Sequence, residues 1–353
     1  MGVFLTTIEL SAIAATLLPF SRSALWWIRF FDFPRTQIAS IGMIALAADL
    51  AFRTGAGSTH QLIRAALALC ILYQAYEIRP YTLFAAKEVK PAKNQRPEAT
   101  LSLLLANVKM DNRNSARLRD ITAEVDPDVI LVVEADEWWE RELACFARSH
   151  PFNVRRPQDN FYGMLLYSRL ELLRSEVRFL IQDDVPSIRA GIKLDEGTEV
   201  EIHCLHPRPP VPHETGQSTE RDAELIVVGK ESKGKPWPIV VMGDLNDVAW
   251  SRTNYLFQRI SGLLDPRVGR GLYNSFHARY FFLRFPLDHF FHSTHFRLVQ
   301  LKRLAYFGSD HFPMFIRLSY EPEAQHQQEA PETELADEVD AAEKIAEAAT
   351  RRK

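Results

Sequence analysis

The sequence predicts an α/β domain set behind an apolar, helical N-terminal region. Over residues 100–320, short β-branched and aromatic runs bounded by turn residues alternate with amphipathic stretches, a pattern of sheets and helices packed in layers around one core. Residues 1–85 instead hold three long apolar runs, and residues 321–353 are rich in Glu, Ala and Gln with almost no large apolar side chains. With 353 residues, 46% of them hydrophobic, the chain can bury a large core, which excludes a disulfide mini-protein or a wholly disordered chain.

The first region, residues 1–85, reads as a membrane anchor. Its runs, 2–20, 36–52 and 62–78, are each close to the bilayer-spanning length of about 17 to 25 residues, so about three transmembrane helices are expected. Each run holds an ionisable residue, Glu9, Asp49 or Arg64, which is costly in a membrane unless it faces an interface or neighbouring helices. No Lys or Arg precedes Arg22 and two more apolar runs follow, so a cleaved signal peptide explains the first run poorly. A soluble helical domain is the alternative. Between the first two runs, Trp26, Trp27, Phe30, Phe31 and Phe33 mix with Arg22, Arg29 and Arg35, which suits either the headgroup level or an ordinary aromatic loop. Basic residues in that connection and after the third run place both on the cytoplasmic side, with the N-terminus outside.

Residues 86–99 are polar, carry two prolines and read as a linker. Within 100–320, strands are expected at 101–106, 129–134, 163–168, 200–205, 239–243, 287–292 and 313–320, and helices at 115–124, 137–148, 219–230 and 250–261. The tail, 321–353, cannot bury enough surface to offset its ordering entropy, so disorder is expected, with a helical piece near 335–348.

Charge sharpens the reading. Residues 1–99 carry 10 Lys+Arg against 6 Asp+Glu, residues 100–320 carry 28 against 29, and residues 321–353 carry 4 against 10. The middle region therefore lacks the strongly basic footprint of a tight nucleic-acid binder. Cys70, Cys145 and Cys204 form neither a disulfide framework nor a zinc-ligand spacing.

The expected strands end in acids, amides and imidazoles: Asn107, Glu134, His206, Asp244 with Asn246, Asp288, and Asp310 with His311. A carboxylate closing the run Val129-Ile130-Leu131-Val132-Val133-Glu134 is expensive to leave unpaired, so a cation or a hydrogen-bond network should meet it. Asp244 and Asn246, two residues apart after a buried strand, can aim at one ligand, the acid orienting or deprotonating water and the amide donating to a phosphoryl oxygen; an Asx turn is the alternative. In Ser309-Asp310-His311, acid and imidazole point in opposite directions in extended chain and serve different partners. Asp288 is a candidate to fix the tautomer of His311 and favour its charged form.

Asn107, Glu134, His206-Pro207, Gly243-Asp244-Leu245-Asn246, Leu287-Asp288-His289 and Ser309-Asp310-His311 occur in the order and approximate spacing of the endonuclease/exonuclease/phosphatase superfamily. Residues 100–320 thus resemble DNase-type nucleases, abasic-site endonucleases, sphingomyelinases and inositol polyphosphate phosphatases, and overall the chain is most similar to membrane-tethered bacterial members. The resemblance implies a four-layer sandwich, two packed β-sheets flanked by helices, with a divalent-metal site at one end. It implies Glu134 as principal Mg²⁺ ligand with Asn107 and Asp310 nearby, Mn²⁺ being the other candidate ion. It further implies Asp244 as the water-orienting acid, Asn246 as a phosphate-orienting amide, His311 paired with Asp288 as the phosphate-contacting imidazole, and His206 as a further phosphate-side histidine. Mg²⁺ suits such a site because it prefers oxygen ligands and is often held by one or two carboxylates.

One departure is Lys109, where some nucleases of the family carry an acid, so no ligand is expected there. His203 is expected on an exposed face, and His213, Asp247 and Asp265 as structural residues. For the aromatic run 280–285, core packing is favoured over a substrate or membrane wedge. Arg208 is a candidate for the rim of the phosphate site.

These readings lead to a membrane-anchored, metal-dependent phosphohydrolase, a phosphodiesterase or endonuclease-like enzyme, of the inner membrane of a bacterium, with its catalytic domain cytoplasmic. Its partners would be the lipid bilayer and a phosphate ester, whether nucleic acid, phospholipid or inositol phosphate; nothing in the sequence points to a protein partner. The alternative is a non-catalytic membrane-bound binding or scaffold module of the same fold. An esterase of unrelated class is disfavoured by the lack of a Gly-x-Ser-x-Gly elbow.

Overall fold

The computed structural model describes residues 2–53, 57–93, 96–194 and 197–351. Helices come first because the N-terminal runs are rich in Ala, Leu and Ile and free of internal proline: α1 (Gly2–Leu17), a short α2 (Trp26–Arg29), α3 (Arg35–Phe52) and α4 (Ser58–Ile78). Pro19 follows the end of α1 and Pro34 immediately precedes α3, each where a helix tolerates it. The long helices coincide with the three apolar runs and pack on one another through Ala12, Ala45 and Leu67.

The bundle is polar inside and apolar outside. Asp49 is buried between Arg53, at 2.9 Å, and Arg64, and Glu9 is 1% exposed, 3.9 Å from Arg53. Toward the other end, Gln74 donates to Thr16 at 3.0 Å and accepts from Arg35 at 3.2 Å. Phe4, Leu10, Ile44, Leu62, Leu69 and Leu72 meanwhile lie exposed on the flanks. Of these helices, the segment Gly2–Ser21 is long and apolar enough to cross a membrane by length and composition.

The rest of the chain forms β1 (Thr100–Asn107), α5 (Ser115–Val125), β2 (Val129–Val133), α6 (Glu137–Glu142), β3 (Phe152–Arg156), β4 (Met164–Ser168), β5 (Leu172–Arg178), β6 (Ser187–Lys193) and β7 (Glu199–Leu205). Then come α7 (Thr219–Ser232), β8 (Ile239–Asp244), α8 (Arg252–Ser261), β9 (Asp288–His292), β10 (Phe296–Arg303), β11 (Met314–Tyr320) and α9 (Leu335–Arg351). One sheet runs β10-β11-β1-β2-β4-β3 and the other β5-β6-β7-β8-β9. Strand alternation builds the layers. Leu103, Leu105 and Leu131 face Ile202, Cys204 and Met242 between the sheets. The intervening Leu104, Ile130 and Val132 face Leu118, Ile121 and Trp139 on one outer side. Val241 faces Leu225, Phe257 and Ile260 on the other. Two mixed sheets packed between helices are the sandwich expected above.

Caps define the helices locally. Asn114 accepts from the Arg117 amide, Asp136 from Trp139 and Ser251 from Asn254, and Gly262 takes the left-handed conformation (φ 72°) that closes α8.

Several expectations are corrected. Strands β3, β5, β6 and β10 have no counterpart among the expected ones; β3 and β5 are half-exposed edge strands whose charged residues mask any alternation. Residues 86–93, read as linker, are packed: Val89 is fully buried in the inter-sheet core, Glu88 accepts from the Asp265 amide, and Pro91 bridges Leu298. The acidic tail carries the expected helix but does not lie free, since α9 packs on α7 and α8 through Ala341 and Ile345. Ion pairs from Lys344 to Asp222 (2.7 Å) and from Arg252 to Asp340 (2.6 Å) replace the apolar area the tail lacks. His203 is buried and bonded to Glu201 at 2.7 Å rather than exposed. The aromatic run is exposed at Tyr280, Phe281, Phe282 and Leu283, Phe281 by 78%, and only Phe285 is core.

Candidate active site

Topology gathers the site. β1 runs parallel to β2 and β7 parallel to β8, so the C-terminal ends of all four lie at one end of the sandwich, where β9 and β11, antiparallel to β8 and β1, begin. Residues far apart in sequence, at 107, 134, 206, 244, 288 and 311, thereby meet. Gly243 is required for this approach, because a Cβ there would lie 1.9 Å from the Leu205 carbonyl oxygen on the neighbouring strand.

The Asn107 amide donates to Glu134 at 2.7 Å and to Asp244 at 2.9 Å, tying the first two strand ends to the second sheet. Glu134 sits at φ 58°, a conformation costing a non-glycine residue about 1–3 kcal/mol, and this turns its carboxylate back into the cluster. Asp244 accepts from the Asn246 amide at 3.0 Å in an Asx turn, with Asn246 at φ 51°, a region asparagine tolerates. The Asn246 side chain donates to the Pro207 carbonyl at 3.0 Å and keeps a second N–H. The backbone carbonyl of Asn246 accepts from the buried Arg221 at 2.7 Å.

His311 lies between two carboxylates. Its Nδ1 is 2.7 Å from Asp288 and its Nε2 3.4 Å from Asp244. Burial alone would depress the imidazole, but Asp244 and Asp288 outweigh it and push the pKa up to about 10, so the ring is cationic at neutral pH. His206 is the opposite case. Burial lowers it to about 4, its Nε2 is 3.9 Å from both Glu134 and Asp244, and its buried Nδ1 has no partner. Burial, opposed by the Asn107 hydrogen bond, raises Glu134 to about 7, and burial also raises Asp244.

Single ligand atoms of Glu134, His206 and Asp244 lie within 4.8 Å of one another, as do those of Asp244, Asp288 and His311. The first group could hold a divalent cation: it offers acidic oxygens that burial makes costly to ionise, which a cation would relieve. Asp310, expected near Glu134 as a ligand, lies 3.3 Å from the Lys109 ammonium and acts electrostatically on both Glu134 and His311.

The structure thus brings Asn107, Glu134, His206, Asp244, Asn246, Asp288 and His311 together, with Asp310 beside them and paired to Lys109. Two contributors carry no role in the sequence reading. The Ser309 hydroxyl donates to the Asn107 carbonyl at 2.8 Å and accepts from the His311 amide at 3.1 Å, stapling the last loop to β1. Tyr162 lies against His206, with Arg208 over its ring at 4.8 Å, so the proposed rim arginine is stacked beside the site. Ser309 stood inside a quoted motif, whereas nothing local marks Tyr162.

The sequence profile described as the Endonuclease/Exonuclease/phosphatase family matches residues 104–311. Among solved structures, the fold is similar to humanized D. rerio TDP2 carrying 14 mutations, with TM-score 0.51 and 16% identity over 63% of this chain and 99% of that one. It is similar to the human Nocturnin catalytic domain with bound sulfate anion, with TM-score 0.51 and 15% identity over 65% and 96%. A functionally unknown conserved protein from Enterococcus faecalis V583 aligns with TM-score 0.51 and 17% identity over 63% and 100%. At such identities the likeness is one of fold. A search of curated proteins found no match.

Proposed function

Since the chain belongs to the endonuclease/exonuclease/phosphatase family, we propose that it is a membrane-anchored, divalent-metal-dependent phosphohydrolase, acting as a phosphodiesterase. The observation that carries this reading is His311, buried between Asp244 and Asp288, which favour its charged form, beside the oxygens of Glu134. A fixed positive N–H in a dry site is suited to a phosphoryl oxygen that gains negative charge as water attacks. Asp244, bonded to Asn107 and raised by burial, is placed to take the proton of that water, and the second N–H of Asn246 to orient a phosphoryl oxygen. One P–O bond forms to the water oxygen, the ester P–O bond breaks, and the leaving oxygen takes up a proton. Glu134, with His206 beside it, would hold Mg²⁺ or Mn²⁺, which supplies Lewis-acid neutralisation of the phosphoryl charge, and Asp244 is left to act on the water. Asn107 would keep the Glu134 carboxylate in place, and Asp310 would act with Lys109 at the rim.

Membrane anchorage through α1, α3 and α4 is supported by their inverted polarity, charges paired inside and apolar side chains outside. Trp26, Trp27, Phe30, Leu83, Phe84 and Phe281 are exposed where the helices meet the domain, as suits a headgroup belt. With α1, α3 and α4 as three spans the N-terminus would lie opposite the catalytic domain, and the basic residues around the domain favour the cytoplasm for it. The test is turnover by the full chain on bis(p-nitrophenyl) phosphate, DNA, RNA, sphingomyelin and inositol phosphates. Mg²⁺-dependent hydrolysis abolished by chelator, and lowered about 100-fold or more by His311→Ala, is expected. A folded protein inert on the whole panel would favour a binding module instead.

A further inference from the structure

Beside the site lies a cavity of about 290 Å³, near the lower end of small-ligand pockets. Asn246 and His311 form part of its wall, and its other lining side chains are apolar, from two regions of the chain. The catalytic domain supplies Val211, in the proline-rich loop after His206, together with Phe276, whose ring lies 5.0 Å from that of His311. The N-terminal region supplies Trp26, Phe30 and Phe33.

The N-terminal wall is docked onto the domain by specific contacts. The Trp26 amide donates to the Gly216 carbonyl at 3.0 Å, the Trp250 indole to the Asp32 carbonyl at 2.7 Å, and the rings of Phe33 and Phe285 meet edge to face at 5.7 Å. The outer faces of Trp26 and Phe30 are open, Phe30 by 51%. They continue an apolar rim that includes the loop Tyr280 to Leu283, which α3 holds through a Gln37 hydrogen bond to the Phe282 carbonyl at 2.9 Å.

We propose that this cavity takes the hydrocarbon arm of a membrane lipid phosphoester, so that the anchor segment Trp26 to Phe33 forms part of the substrate site and the hydrolysed phosphate belongs to a lipid of the bilayer. The assignment rests on the phosphohydrolase reading for the chemistry and on the cavity for the substrate. Two features favour a lipid over a nucleic acid. Among the described residues no Lys or Arg lines the cavity, whereas a polynucleotide lying along it would need cations there for its phosphates. The cavity also opens beside the apolar rim at the foot of the helices, so a lipid tail passes from bilayer to site along apolar surface.

The test uses the full chain in vesicles of digalactosyldiacylglycerol, a bilayer lipid without phosphorus, with Mg²⁺ and alkyl p-nitrophenyl phosphodiesters from methyl to octyl. Each buried methylene is worth about fourfold in binding. Partition into the bilayer also favours longer chains but is the same for every variant, so a comparison between variants isolates the cavity. The octyl-to-methyl ratio of kcat/KM should fall about tenfold or more in Val211→Trp, which fills the cavity, and in Phe30→Asp, at a half-exposed position that tolerates polarity. Calorimetric titration with methyl- to octylphosphonate gives a second readout that needs no turnover. Hydrolysis with the same ratio in all three proteins, or an oligonucleotide preferred to every alkyl diester, overturns the lipid assignment and leaves the phosphohydrolase standing. No hydrolysis of any diester, with an alkyl preference in phosphonate binding that Val211→Trp removes, overturns the phosphohydrolase and keeps the cavity. Neither hydrolysis nor alkyl preference overturns both.

Discussion

His311 is held in its charged form by position alone: the same imidazole without Asp244 and Asp288 would be driven neutral by burial. Asp288→Asn keeps the shape and removes one charge. The alkaline limb of the kcat/KM profile should then move about 1–3 pH units toward acid from its position near 10, as a pH–rate series would register. Stability follows the same sign. Because the folded pKa is raised, the favourable contribution of His311 is complete below its ordinary value of about 6.5 and is lost as pH rises through about 10. Glu134 moves stability in the same direction over a lower pH range. Raised to about 7, it costs the metal-free fold stability as pH climbs from about 4.3 through 7 and the buried carboxylate ionises. Mg²⁺ should therefore raise the melting temperature more at pH 8 than at pH 6, and Glu134→Gln should remove most of that difference in a thermal-shift titration.

At the scale of elements, α9 shows how a segment poor in large apolar residues becomes ordered. Its Ala341 is fully buried against α7 and α8, and Lys344 reaches Asp222, which Arg221 also contacts at 2.8 Å. Arg259 meets Asp337 at 2.7 Å near the start of the helix. Lys344→Met should destabilise the domain by about 1–3 kcal/mol in urea unfolding, less than an isolated buried pair because Asp222 keeps Arg221. Lys230→Met, at an exposed pair 3.9 Å from Glu338, should cost less than about 1 kcal/mol. Strands β1, β2, β7 and β8 act as a set, and their shared direction gathers the candidate site residues at one end of the sandwich.

Over the whole molecule, the N-terminal helices and the domain pack on each other. Tyr81 is buried beside Trp250 and donates to the Ala249 carbonyl at 2.7 Å, and Val89 enters the core between the sheets. A fragment beginning at residue 97 would lose both, each worth about 1.5–3 kcal/mol of burial. It should melt well below one beginning at residue 79, and differential scanning calorimetry of the two fragments measures the gap. The full chain should co-float with vesicles, and Phe281→Ser with Phe282→Ser should weaken the docking of the domain on the surface without releasing the helices. Limited proteolysis on vesicles reads that change at the exposed loop.

Much of this protein was legible along the chain. Apolar runs ending in Glu134 and Asp244 mark β2 and β8 because a buried strand must be apolar and its end is where a polar group can emerge, and the order of Asn107, Glu134, Asp244 and His311 is a linear pattern. Among the described residues, seven of the eleven strands carry enough β-branched and aromatic residues to be read locally. The remaining four do not, since β3 and β5 lie at sheet edges and take their partners from elsewhere in the fold. Only the tertiary structure decides that residues 86–93 and α9 are ordered, because their burial is supplied by surfaces far away in sequence. It also decides that Asp310 pairs with Lys109, that His311 and His206 hold opposite charge states, and that Trp26 and Phe30 share a cavity with His311. Charge state and proximity are properties of the surroundings, which strand pairing across more than 200 residues brings together and no local spacing encodes.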